Sequence, residues 1–313
     1  MEESQSFCTK SENMALRPLL TVTLIVLAWT ASPNHSNAQS VVADDAQLEL
    51  VAEGFKFTEG PAVDKDGNIF FTDQPNDRIM RYSIDGELET WLKPCGRSNG
   101  LFFERTGNMI ACADEKNELW RILPDKTHEV LLAEFEGKKF NGPNDVWVSA
   151  DGSYFFTDPF YKRKYWKRES DGPELPKRVY RFLPDSKEVQ IAAEDFKQPN
   201  GIVGDVGRSV LYVADIGDRK TYRFNVDTSG KLTSRKLFCE FGSDGMTLDQ
   251  DGNVYLTGKG VMVFNSEGKL RERIAVPEGW TANVCFGGKR RDVLFITASD
   301  SLYAIKMKTR GLD

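Results

Sequence analysis

Histidine is almost missing from this 313-residue chain, where only His35 and His128 occur. Without an H-E-x-x-H helix or a histidine cluster, zinc hydrolase chemistry is disfavoured. A Ser-His-Asp or Cys-His mechanism would have to recruit His128. That residue stands in the polar run Asp125-Lys126-Thr127-His128-Glu129, which reads as an exposed outer strand. The five cysteines show no C-x-x-C or other metal spacing. Cys112 and Cys285 lie in apolar, strand-like stretches and read as buried thiols rather than a disulfide framework, and no bridge is expected for Cys95 or Cys239. A net charge of −6 argues against a general nucleic-acid binder.

Long apolar runs are scarce too. The stretch Leu19 to Ala31 has thirteen residues, short of the ~20 that a membrane-spanning helix needs. It follows Arg17 and precedes polar sequence, the layout of a secretory signal, with Met14 as an alternative start. Small residues at Ser36 and Ala38 predict cleavage before Gln39, which would also remove Cys8. The expectation is a signal peptide over 1–38, a linker over 39–47, one domain over 48–308 and a tail over 309–313. The mature protein is expected to be secreted or periplasmic, without stable membrane insertion if the signal is cleaved, the alternative being an uncleaved anchor.

What is present is a repeat. Twenty-six glycines, twenty phenylalanines and recurring Asp-Gly pairs favour an all-β chain. Six segments carry the same phrase, an acidic or amide residue leading into an apolar strand that ends in Thr-Asp or similar. They run Glu59…Asp73, Asn99…Asp114, Asn144…Asp158, Asn200…Asp215, Asp244…Gly258 and Asn283…Ala298. Each leading residue precedes the last by 14 or 15 positions, and successive starts lie 40, 45, 56, 44 and 39 residues apart. A period near 40–45 with about four short strands per unit is the pattern of a propeller blade. The fold class predicted is all-β, a six-bladed β-propeller.

In the first unit, strands are expected at Gly60–Val63, Ile69–Thr72, Arg78–Ser83 and Leu88–Leu92. Asp66-Gly67 and Asp85-Gly86 read as two-residue hairpin turns, repeated at Asp151-Gly152 and Asp251-Gly252. An EF-hand reading of Asp64 to Gly67 fails because that loop needs its glycine at the sixth position. Leu48–Val51 stands alone before the first unit, and pairing it with the C-terminal strand around Leu302–Ile305 would close the ring and remove its edges.

Because strands alternate in direction, the six leading side chains should converge at one mouth of the central channel. Glu59, Asn99, Asn144, Asn200, Asp244 and Asn283 all present oxygen. A turn preference explains any single Asn-Gly, but not six in one phase, nor Glu59. Two carboxylates with several amides suit a hard divalent cation. The longest spacing places an insertion, Pro159 to Arg178 with Tyr161-Lys162-Arg163-Lys164-Tyr165-Trp166, on the same face. It is expected either to cover the site, where it could meet a sugar ring or an acid product, or to be a solvated basic loop.

The phrases FTEGPAVDKDGNIFFTD, SNGL, FNGPNDVWVSADGSYFFTDP, PNGI, DGMTLDQDGNVYLTGKGV and the FGG of NVCFGG resemble the gluconolactonase/senescence-marker-protein family, which includes regucalcin-like proteins. The resemblance spans roughly Leu48 to Lys306. It implies a six-bladed propeller with calcium, or alternatively magnesium, manganese or zinc, on Glu59, Asn200 and Asp244. It further implies a substrate contact at Asn144 and hydrolysis of a sugar lactone with Asp244 also handling the proton; Asn99, the equivalent leader of the second blade, is expected as a second substrate contact. Animal members carry an arginine where this chain has Gly142, so the substrate contacts are expected to differ there. Two other readings stand beside it: a phosphotriesterase of the kind found among related propellers, and a non-catalytic propeller that binds a carbohydrate or peptide.

Overall fold

The second strand of each unit opens on a continuous apolar run rather than alternating, as in Ile69–Asp73, Tyr154–Asp158 and Val254–Gly258. Such a strand is stable only if both of its faces are covered. In the computed structural model, which describes residues 39–168 and 170–312, these three strands are buried at every position. The fourth strands, such as Leu88–Leu92 and His128–Leu132, are largely exposed and form the rim. Residues 1–38, where the signal segment is expected, lie outside the described residues.

Six four-stranded antiparallel sheets result, five of them built from consecutive strands. Their inner strands are Thr58–Val63, Ser98–Phe103, Val146–Val148, Pro199–Asp205, Met246–Leu248 and Thr281–Gly287. Each touches the inner strands before and after it, and the last touches the first, so the blades form a closed ring. The core is divided accordingly, with one apolar cluster between each pair of neighbouring blades. Between the second and third blades, for example, Ile110 and Cys112 pack with Phe156 and Tyr180. Burying each such aromatic or aliphatic side chain contributes about 1.5–3 kcal/mol.

Closure comes from the N-terminal strand. Glu49–Glu53 pairs with Ser301–Lys306 as the outermost strand of the sixth blade, with Glu49 opposite Ala304 and Leu50 opposite Tyr303. The flanking residues contribute as well. Val41 is 2% exposed within the core shared by the fifth and sixth blades. Val42 bridges Met307, and Gly311 bridges Asp249. Residues read as linker and tail therefore pack on the blades.

The Asp-Gly turns differ from expectation. Gly67, Gly152 and Gly252 have positive φ, but the aspartates before them do not. The Gly67 N–H bonds to Asp64 O at 3.1 Å and the Asp64 N–H to Asn68 O at 3.1 Å, a longer loop that ends in a left-handed glycine. The Asp64 side chain decides this, because its Oδ1 accepts from the N–H groups of Asp66 and Asn68, both at 2.9 Å. Asp249 repeats the arrangement, and only the glycine needs the left-handed region.

Among the described residues, no helix is long and apolar enough to cross a membrane. Cys95, Cys112 and Cys239 are buried free thiols, and Cys285 is buried too. His128 is exposed on a rim strand and stacks on Trp120 with ring centroids 3.7 Å apart.

Candidate active site

In the first, third and fourth blades the aspartate that ends the second strand grips the backbone just ahead of the leader. Asp73 accepts from the N–H groups of Lys56 and Phe57, Asp158 from those of Asn141 and Gly142, and Asp215 from those of Lys197 and Gln198. These are always the third and second residues before Glu59, Asn144 and Asn200. The recurrent Thr-Asp is thus a positioning device and not itself part of the chemistry.

The inner strands also bulge at the leaders. The register shifts between Glu59 and Ala62, between Ser98 and Leu101, and between Pro199 and Ile202. A bulge re-aims a side chain, and here it turns the leader toward the channel mouth. The glycine that follows is required by close approach, and at Gly60 by a left-handed backbone as well. A Cβ at Gly60 would lie 2.0 Å from Asn99 O, and one at Gly245 would lie 1.9 Å from Asn283 Cγ. Each blade's leader thus rests against the backbone beside the preceding leader.

The structure brings the expected carboxylates and amides together. Asn200 Nδ2 donates to Asp244 Oδ1 at 2.7 Å and contacts the Tyr161 hydroxyl at 2.8 Å. Asn283 Nδ2 donates to Glu59 Oε2 at 3.2 Å, and the Gly60 N–H donates to the same oxygen at 2.7 Å. Burial pushes the Glu59 carboxyl well above the usual carboxylate range, and the negative charges of Asp244 and Asp145 push it further. Burial raises Asp244 to about 6 against the opposing pull of Trp280, Asn200 and Arg163. Glu59 and Asp244 therefore face one shared space. Asn144 is buried and its carbonyl accepts from the Gly100 N–H at 2.8 Å, which ties the second and third blades together behind the mouth. Asn99 is 5% exposed beside it.

Two contributors, Trp280 and Asp145, went unseen in the sequence, and a third, Tyr161, was named only as part of the insertion expected at the mouth. Trp280, from the connection into the sixth blade, donates Nε1–H to Asp244 Oδ2 at 2.6 Å. Tyr161, from the insertion, reaches Asn200; burial and the Asp244 and Glu59 charges push its hydroxyl up to about 12. Asp145 stands in the third blade where the first, second, fourth and fifth blades have glycine after the leader. Its carboxylate accepts from the N–H groups of Val146 and Ile202 and is lifted by burial to about 7. The Asn-Asp in place of Asn-Gly was the available signal for it.

The insertion sits at the mouth, as strand alternation requires. Lys162, Lys164 and Lys167 are exposed, whereas Tyr161, Arg163, Tyr165, Trp166 and Arg168 are partly buried. This arrangement departs from a solvated basic loop. Trp166 fills the space beside Gly142, where a Cβ would lie 3.0 Å from Cζ2. The channel continues beyond the site as a cavity of about 1140 Å³ that opens at the opposite end and has Asp145 and Asn283 at its upper edge.

The donor set fits a hard cation. Burial and the Asp244 charge raise the proton affinity of Glu59, and both hydrogen bonds to Glu59 fall on Oε2. A divalent ion bound by oxygen ligands would relieve that repulsion. No group of three histidine, cysteine or acidic side chains forms a metal cluster among the described residues, so amide oxygen has to complete the set.

Residues 57–300 match the family described as the SMP-30/Gluconolactonase/LRE-like region. The chain belongs to this family. It is 27% identical to a gluconolactonase of Zymomonas mobilis over 84% of this chain and 82% of that one. A gluconolactonase structure from Xanthomonas campestris superposes with a TM-score of 0.79 at 28% identity, covering 85% of this chain and 91% of the other. An X-ray structure with a provisional gluconolactonase assignment gives 0.80 at 31% identity, covering 87% and 96%.

Proposed function

We propose that the protein opens a sugar lactone to its hydroxy acid at the channel mouth, with one divalent cation held by Glu59, Asn200 and Asp244. Lactone hydrolysis as the reaction class follows from family membership and from the gluconolactonases it is similar to. The observation that carries the proposal is the meeting of Asp244 with Asn200 at 2.7 Å in a space that Glu59 shares. Calcium fits an all-oxygen, partly amide donor set best, with magnesium, manganese and zinc as alternatives. Bound there, the cation would supply Lewis acidity toward the lactone carbonyl.

The chain's own groups account for the rest. Asp244 is ionised near neutrality, and Asn200 and Trp280 fix one hydrogen bond on each of its oxygens. It takes a proton from the attacking water as the water oxygen bonds to the carbonyl carbon. It then returns that proton to the ring oxygen as the ring C–O bond breaks. A carboxyl affinity near the working pH suits both directions of this transfer. Asn144 and Asn99 orient the substrate by hydrogen bonding. The rim formed by Tyr161 and Trp280 limits water around the carboxylates.

The test is pH-stat titration of D-glucono-δ-lactone opening, corrected for spontaneous hydrolysis. The protein is chelated and then re-supplied with calcium, magnesium, manganese or zinc, and a phosphotriester is assayed in parallel. Lactone opening that chelation abolishes and one cation restores supports the proposal. Turnover of the phosphotriester alone, or of neither compound, refutes it. Export is proposed from the Leu19–Ala31 run, and a secreted protein beginning at any residue other than Gln39 contradicts the expected cleavage.

A further inference from the structure

The insertion is anchored through an aspartate that departs from the blade pattern. In the first, third and fourth blades the terminal aspartate of the second strand holds backbone ahead of the leader. In the second blade that task passes to Asp77, which accepts from the N–H groups of Cys95 and Arg97 at 3.0 and 2.7 Å. Asp114 is released from it. Its carboxylate, 4% exposed as a residue, instead accepts from Arg163 Nε at 3.2 Å and from the Tyr165 hydroxyl, while its carbonyl accepts from Trp166 Nε1 at 2.7 Å. Arg97 stacks over the Tyr165 ring at 4.6 Å.

This anchoring fixes Arg163 by one edge. Its Nε is committed to Asp114, the one hydrogen bond of this side chain among the described residues. The side chain remains 28% exposed, lies 5.6 Å from the Tyr161 ring centroid, and its charge favours the ionised form of Asp244. Two Nη groups are thus left at the mouth on a guanidinium held at its Nε. A planar fork of donors suits a pair of neighbouring acceptors.

We propose that Arg163 is a specificity-determining residue whose Nη groups bind adjacent hydroxyls on the ring of a polyhydroxylated lactone. Neutral hydroxyls are favoured over an anionic substituent because Asp114, Asp145, Asp244 and Glu59 already crowd this end of the channel with acceptors. The inference rests on the lactonase reading and assigns the recognition of the substrate to the insertion.

The experiment compares D-glucono-δ-lactone with unsubstituted δ-valerolactone at pH 7.5, using wild type, Arg163→Met and Arg163→Lys, with thermal melts of each. Arg163→Met is expected to lower kcat/KM for the hydroxylated lactone by about 30-fold, mostly through KM, since a charged two-point donor is lost. δ-Valerolactone should change by less than about 3-fold, and lysine should restore only part of the loss because it cannot present two parallel donors. An equal loss on both lactones would make Arg163 a mere prop for the insertion and overturn the proposal, as would an unchanged KM for gluconolactone. Wild type that opens both lactones equally well also overturns it while leaving the lactonase reading intact. Wild type that opens neither overturns both.

Discussion

Replacing Trp280 with phenylalanine removes one hydrogen bond from Asp244 and leaves the ring in place. The indole N–H donates to Asp244 Oδ2 at 2.6 Å, and a hydrogen bond to a charged group contributes about 1.5–3 kcal/mol. Trp280 is 39% exposed, so water replaces part of that bond and about 1 kcal/mol is the appropriate figure. At ~1.4 kcal/mol per pH unit, the Asp244 carboxyl should rise by about 0.7 unit from its value near 6. Cation binding requires the carboxylate, and protons compete for it. At pH 6 the ionised fraction then falls from about one half to about one sixth, so the apparent Kd for calcium rises about threefold. At pH 8 both proteins are fully ionised there and should bind within about a factor of 1.5 of one another. Isothermal calorimetry at the two pH values reads this directly. An equal weakening at both would mean that Trp280 shapes the site rather than setting the proton affinity of Asp244, and no change at pH 6 would remove the hydrogen bond from the account.

Other substitutions probe the frame. Gly245→Ala drives a methyl group to within 1.9 Å of Asn283 Cγ, and overpacking of this kind costs about 1–3 kcal/mol; a melt should show Tm lower by roughly 2–12 °C, and an unchanged Tm would contradict the close approach. Burial lifts Asp158 to about 7, above its unfolded value of about 4. The stabilisation from its retained proton is complete below pH ~4 and is lost as pH rises toward 7. Asp158→Asn removes that dependence, so between pH 4.5 and 7.5 the variant's Tm should fall less than that of wild type; parallel slopes would refute the shift.

The architecture was legible because blades repeat. One phrase recurring six times in phase gave the number of sheets, the phase of the leaders and the N-terminal strand that closes the ring. The same repeat marked all six leaders as candidates at the mouth, and only the family resemblance singled out Glu59, Asn200 and Asp244 among them. What could not be read belongs to no repeat. Trp280 and Tyr161 come from connections whose side-chain direction no periodicity fixes. Asp145 was hidden by its neighbour Asn144, which carried the repeat signal. The released role of Asp114 shows only once Asp77 is seen to have taken over its backbone contacts. The Asp-Gly turns were misread because Asx hydrogen bonding by Asp64 and Asp249 outcompetes the two-residue hairpin.

The central claim is that Glu59 and Asp244, 185 residues apart in the sequence, hold the same ion. Calcium titration of wild type, Glu59→Gln and Asp244→Asn by calorimetry at pH 8, with melts confirming folding, tests it most directly. One site per chain in wild type, weakened at least about 100-fold by either substitution, is the predicted result. A folded Glu59→Gln or Asp244→Asn protein that binds calcium as tightly as wild type would contradict it.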